Sequence, residues 1–236
     1  MEIEKSSVAI LGMGFSLAYY FADLPAYATR FTDQVWAINN AGYWIHDIDT
    51  IISMDDLERD HTHWTDHVLN MLKRDLPIMT CTAYDKWPQS VAFPIDEYRK
   101  EFGQPSEGKK LWFDNSIAYA IALAMLQKHT DIHLYGCDFQ RTDSLTAGEL
   151  ERRMAKYPDS VPWWFIYHHR DTVRERRSGE PGIENVMYLI GRARERGIRI
   201  HIPRGSTLMD MDRQEHLYGF QEQPYDKDGN KIGWEK

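Results

Sequence analysis

The sequence predicts an α/β domain built on a doubly wound, mainly parallel sheet, and three observations carry that reading. Short apolar runs such as Val8-Ala9-Ile10-Leu11 and Val35-Trp36-Ala37-Ile38 recur along the chain, as expected of strands covered on both faces. Segments of helical spacing separate them, so strands alternate with helices and consecutive strands run parallel. The first run leads into Gly12-Met13-Gly14-Phe15-Ser16, a tight turn from strand to helix. Together these make the fold Rossmann-like.

The elements follow in order. After the first strand and its turn, residues 16–29 form an amphipathic helix, and residues 34–39 and 50–54 form the next strands. Residues 61–74 have helical spacing, with Trp64, Val68, Met71 and Leu72 recurring at steps of three and four. A fourth strand covers 77–81, and the proline- and glycine-bearing stretch 84–112 is expected to be an irregular connection. Residues 116–128 are apolar almost all round and predict a buried central helix feeding a strand at 131–137. Residues 140–181, polar and rich in Arg, Glu and aromatics, predict a lid-like insertion. A helix over 183–196, closed by Gly197, and a strand at 198–202 complete a single domain spanning 1–213, followed by a polar tail over 214–236.

Composition narrows the function classes. The net charge of −8 argues against passive adhesion to nucleic acid, although Arg174, Arg176, Arg177, Arg192, Arg194 and Arg196 gather a local basic face. The 8 Trp and 13 Tyr suit a stacking site for a flat or sugar-like ligand, although core filling accounts for most of them. Cys81 and Cys137 stand in apolar, strand-like contexts and read as reduced, buried residues. Met1-Glu2-Ile3-Glu4-Lys5 is not a signal peptide and no apolar run reaches transmembrane length. The expectation is a cytoplasmic protein with no membrane partner.

Five groups of residues are candidates for chemistry. Gly12, Gly14 and Ser16 lie where a backbone can approach a phosphate and a helix N-terminus offers free N–H groups. The G-x-G-x-x-G fingerprint is incomplete and no acidic residue closes the second strand, which argues against a dinucleotide dehydrogenase. Asn39 and Asn40 end that strand, where their amides either read ribose and base edges or simply turn the chain. Asp55 and Asp56 end the third strand, placed to hold Mg²⁺ against a diphosphate or, for Asp56, to cap the next helix. Asn115 and Ser116 open the central helix, and Gly136 and Asp138 close its strand, with Ser116 a binding group or an ordinary cap and Asp138 a candidate catalytic group. His168, His169 and Arg170 lie in the lid, where a histidine can take a proton and an arginine can steady a departing phosphate. His61, His63 and His67 lack the His-Glu-x-x-His pattern and read as a solvated face, so no dedicated metal site is expected.

The order of these blocks, with Ile132-His133-Leu134-Tyr135-Gly136-Cys137-Asp138-Phe139 among them, resembles two families over about residues 7–205. One is the bacterial sialyltransferase group typified by Campylobacter lipooligosaccharide enzymes. The other is the MptE-like group of hydroxymethylpterin diphosphokinases with its DUF115 relatives, in which phage-type members also occur. The first resemblance implies a CMP- or UDP-sugar donor held by Gly12, Gly14, Ser16, Asn39 and Ser116, with His168 or His169 as base on the acceptor hydroxyl. It implies a small-molecule, glycan or modified-nucleotide acceptor. A phage origin would place the chain in a host cytoplasm and admit DNA as a partner; a homo-oligomer is compatible with either family. Met13 and the Asp55–Asp56 pair replace asparagines of the sialyltransferase pattern. The acidic pair is similar instead to the diphosphokinases, which implies ATP and Mg²⁺. A non-catalytic nucleotide-sensing protein on the same fold is the third reading.

Overall fold

The computed structural model describes residues 5–14, 16–23, 30–60, 70–102, 113, 115–138, 182–203, 206 and 208. Along the chain run β1 (Ser7–Leu11), α1 (Leu17–Asp23), β2 (Gln34–Ile38), α2 (Ala41–Trp44), β3 (Thr50–Ile52), α3 (Leu57–Asp60) and β4 (Ile78–Thr80). They are followed by β5 (Ser90–Ala92), α4 (Ile95–Phe102), α5 (Ser116–Leu126), β6 (Asp131–Tyr135), α6 (Ile183–Glu195) and β7 (Arg199–His201). The strands form one seven-stranded sheet in the order β5-β4-β3-β2-β1-β6-β7. Every pairing between these strands is parallel, and among the described residues the antiparallel bridge lies outside them, between Tyr84 and Trp87. The sheet is thus a doubly wound α/β fold of Rossmann type, as the sequence predicts.

Strand β1 explains the two-sided core. Alternate side chains point to opposite faces, so Ala9 and Leu11 enter one apolar cluster while Val8 and Ile10 enter the other, all with no exposed surface. The first cluster lies under α1 and α2, and the second under α4, α5 and α6. Helix α5 is buried along most of its length because Ala118, Ala120, Ala122 and Ala124 let it lie close to the sheet while Ile121, Leu123 and Met125 fill the gaps. The aromatic residues serve this core as well: Phe93, Tyr98, Phe113 and Tyr119 meet edge-on or tilted, with Tyr98 and Phe113 centroids 4.6 Å apart.

The stretch 84–112 departs from the irregular connection expected, because it holds β5 and α4. Val91 and Ala92 are exposed, so β5 lacks the apolar run that marks the inner strands. Helix α4 buries Tyr98 and Phe102, four residues apart on one face, behind Pro94 at its start. Cys81 also departs from expectation: β4 ends at Thr80, leaving Cys81 exposed, whereas Cys137 is buried. Of the basic residues at 170–204, Arg192 pairs with Glu195 at 3.0 Å and Arg196 with Glu101 at 2.7 Å, so part of that face is neutralised. The lid 140–181, the tail 214–236 and His61, His63 and His67 lie outside the described residues. Among those described, no helix is long and apolar enough to cross a membrane.

The edge strand β7 is tied to β6 by charge as well as by its ladder. Asp131 accepts from Arg199 Nε at 2.5 Å and Nη2 at 2.8 Å, and lies 3.0 Å from His201 Nε2. Arg199 foremost, then His201 and Thr130, hold the Asp131 carboxyl well below the usual carboxylate range, against the opposing effect of burial. A folded-state pKa below the unfolded one means stability present above the unfolded value and lost as pH falls toward the folded one. Urea unfolding is therefore expected to lose stability between about pH 5 and pH 3 more steeply in the wild type than in Asp131→Asn. Parallel pH curves for the two proteins would contradict this.

Candidate functional site at the carboxyl edge of the sheet

From β1 the chain winds outward to β5 on one side, then returns to place β6 and β7 on the other. The topological switch therefore falls between β1 and β6, and the loops leaving their carboxyl ends part around a crevice. Both loops carry candidate residues, and the structure brings them into direct contact. Gly12 N–H donates to Tyr135 O at 2.8 Å and Gly14 N–H to Gly136 O at 2.8 Å. A Cβ on Gly12 would overlap the Gly136 carbonyl, and one on Gly14 would lie 2.8 Å from both Gly136 O and Asp138 Oδ2. Gly136 itself has φ +65, a left-handed conformation that favours glycine. The glycines are thus required by loop packed on loop, a reason the motif alone does not reveal.

Ser16 fastens the same joint. It is fully buried; its Oγ accepts from Gly136 N–H at 2.8 Å and its own N–H donates to Asp138 Oδ2 at 2.5 Å. The other Asp138 oxygen accepts from the Ser206 hydroxyl. The start of α1, expected to face an anionic ligand, is met instead by a carboxylate of the protein, which is the favourable sign for a helix N-terminus. Met13 N–H, in the same loop, has no hydrogen-bond partner among the described residues. Ser206 is the residue that sequence reasoning missed here, and its separation of 68 positions from Asp138 left no local signal.

The second cluster gathers at the ends of β2 and β3 and the start of α5. Asn39 adopts φ +46, its N–H donates to Ile52 O at 3.0 Å, and its carbonyl accepts from Gly42 N–H at 2.9 Å. Asn tolerates this left-handed turn well, so its turning role is real. Its amide oxygen nevertheless accepts from the Ser116 hydroxyl at 3.5 Å, and Ser116 Oγ accepts from Met54 N–H at 3.4 Å, both long bonds. Ser116 does not cap α5. Asn115 does, accepting from Ala118 N–H at 2.9 Å while its Nδ2 donates to Gly182 O at 3.0 Å. The division frees the Ser116 hydroxyl to stand beside Asn39 and Met54. Asn40 lies at the N-cap position of α2 and makes no side-chain cap bond.

The acidic pair divides in the same way. Asp56 Oδ1 accepts from Glu58 N–H at 3.1 Å, capping α3, and from the Tyr84 hydroxyl at 3.4 Å. Tyr84 is the second residue missed; its oxygen also accepts from Leu57 N–H at 3.2 Å and lies 3.4 Å from Cys81 Sγ. Asp55 follows β3 beside them, and its carbonyl faces Cys81. Among the described residues no group of three His, Cys, Asp or Glu side chains is placed to hold a metal ion. His168, His169 and Arg170 lie outside the described residues.

Two glycine substitutions separate loop packing from ordinary helix propensity. Gly136→Ala meets left-handed strain and the Gly12 carbonyl together, and is expected to cost about 2 kcal/mol or more. Gly191→Ala, in α6 with nothing within 4 Å of the new Cβ, is expected to stabilise by about 0.5–1 kcal/mol. Chemical denaturation measures both, and equal effects would contradict the packing account.

No family model matches the chain, and no curated protein does. Among solved structures, it is similar to the sialyltransferase CstII from Campylobacter jejuni in complex with the substrate analogue CMP-3FNeuAc, at 15% identity over 87% of this chain and 83% of that one, with TM-score 0.47. The same enzyme with cytidine-5'-monophosphate gives 14% identity over 89% and 84%, with TM-score 0.49. Its complex with a trisaccharide acceptor and CMP gives 15% identity over 87% and 84%, with TM-score 0.47.

Proposed function

We propose that the chain is a glycosyltransferase that takes a sugar from a nucleotide-activated donor, a CMP- or UDP-sugar, bound in the crevice at the carboxyl edge of the sheet. The observation that carries this reading is the convergence of Ser116 Oγ, the Asn39 amide and Met54 N–H where a doubly wound sheet takes its ligand. These short polar groups suit ribose hydroxyls or a base edge. Met13 N–H, without a partner among the described residues, supplies a donor for the phosphate.

In this proposal the acceptor is a glycan hydroxyl. Its oxygen attacks the anomeric carbon as the bond to the nucleotide phosphate breaks, inverting that centre. His168 or His169 takes the hydroxyl proton, and Arg170 receives the negative charge left on the phosphate. The Mg²⁺-dependent diphosphotransferase reading would place Asp55 and Asp56 on the metal. It is the less favoured, because Asp56 is engaged at the start of α3 and with Tyr84.

A thermal-shift panel of CMP-, UDP- and GDP-sugars, CDP, and ATP with and without Mg²⁺ tests the proposal. The expected result is stabilisation by a CMP- or UDP-sugar without Mg²⁺, with affinity cut about tenfold by Ser116→Ala and by Asn39→Gly, which keeps the turn. The double variant His168→Ala/His169→Ala is expected to keep donor binding and lose transfer. Stabilisation by ATP only with Mg²⁺ would favour the diphosphotransferase. Donor binding without turnover by any acceptor would favour a sensor.

A further inference from the structure

At the opposite, amino-terminal edge of the sheet lies a cleft of about 410 Å³ at the starts of β1, β6 and β7. That volume lies within the range of small-ligand sites, and nothing in the transfer reaction uses it. Each of its two carboxylates is engaged by the protein. Asp33 Oδ2 accepts from Ser7 N–H at 2.7 Å and from Ser7 Oγ at 2.8 Å. Asp131 accepts from Arg199, His201 and Thr130, the last at 3.0 Å.

The donors, by contrast, are open. Lys5 is exposed and makes no ion pair among the described residues. Arg199 spends Nε and Nη2 on Asp131, which leaves Nη1, on a side chain 60% exposed. The neutral His133 ring carries one N–H, and neither of its ring nitrogens has a hydrogen-bond partner among the described residues. The two imidazoles stack with centroids 4.1 Å apart and planes 9° from parallel, and Phe31 meets His133 edge-on at 5.6 Å. A cleft whose carboxylates are engaged while Lys5 and Arg199 Nη1 keep unused cationic donors favours an anionic, acceptor-rich guest. We propose that this cleft binds a small oxyanion, a phosphate or a carboxylate, between Lys5, Arg199 and the stacked His133–His201 pair.

The charged and titratable groups around His133 are Lys5, Asp33, Asp131, Arg199 and His201. Burial first, then the neighbouring His201 and Arg199, push His133 down to about 4, with Asp131 opposing. His133 is therefore neutral near pH 7 and stacks on its partner without repulsion. An anion in the cleft favours the protonated ring, so binding raises the His133 midpoint and tightens as pH falls.

Imidazole NMR resonances of His133 and His201 test the proposal, titrated with inorganic phosphate, acetate and chloride at matched ionic strength. The expected result is a saturable shift with phosphate or acetate at millimolar concentration, absent with chloride, and a raised His133 midpoint. Tighter binding of phosphate identifies a phosphate site, and tighter binding of acetate a carboxylate site. Lys5→Gln, which removes an exposed and unpaired charge, is expected to weaken binding about threefold. Arg199→Lys, which keeps a cation for Asp131 and removes the fork, is expected to weaken it further. Shifts that track ionic strength alone, an unchanged midpoint, or full affinity in both variants would overturn the proposal.

Discussion

The fold depends on how closely two backbones meet at the centre of the sheet. The loops leaving β1 and β6 touch at Gly12 and Gly136, and a methyl group on either would strike the carbonyl of the other. Strand pairing leads there directly, since Leu11 is in register with Tyr135 and the ladder continues through Gly12 N–H to Tyr135 O. Once the loops lie in contact, Ser16 and Asp138 bond across them, and the position of α1 follows. The buried polar groups of this joint satisfy one another, which is the condition under which such a network rigidifies a core rather than weakening it.

That rigidity bears on where a ligand can be held. A joint whose donors and acceptors are matched internally has little left to offer a guest, so the proposed binding site lies at its margins. Met13 N–H is one margin. The other is the start of α5, where Asn115 takes over the capping that Ser116 would otherwise perform. The helix keeps a satisfied end, and a neighbouring hydroxyl is left beside Asn39 and Met54. The apolar bulk of α5 fixes this hydroxyl, because Ala118, Ile121 and Ala122 are fully buried against the sheet.

Much of the architecture was legible in the sequence, for identifiable reasons. Strands β1, β2 and β6 and helix α5 carry apolar runs long enough to have one interpretation. Strand β5 and helix α4 do not: a three-residue edge strand with two exposed side chains has no apolar run, and the prolines around α4 obscured its Tyr98–Phe102 face. The placement of Gly12, Asn39, Asp55 and Ser116 at one edge was legible because strand ends in a parallel sheet converge there. Their local roles were not. Gly-x-Gly looks the same whether a glycine admits a phosphate or another loop, and the choice lay with Gly136, more than 120 residues away. In the same way, Asp56 could cap or bind until Glu58 N–H and Tyr84 were seen to meet it. Long-range partners such as Ser206 leave no periodicity to read.

The central claim is that the margins of the β1–β6 joint, and not the joint itself, hold a nucleotide. Hydrogen–deuterium exchange with and without the nucleotide that stabilises the protein tests it most directly. The account predicts slowed exchange in peptides carrying Met13, Asn39, Met54 and Ser116, while the amides of Gly136 and Ser16, inside the joint, change little. Protection confined to peptides away from the carboxyl edge of the sheet would contradict it.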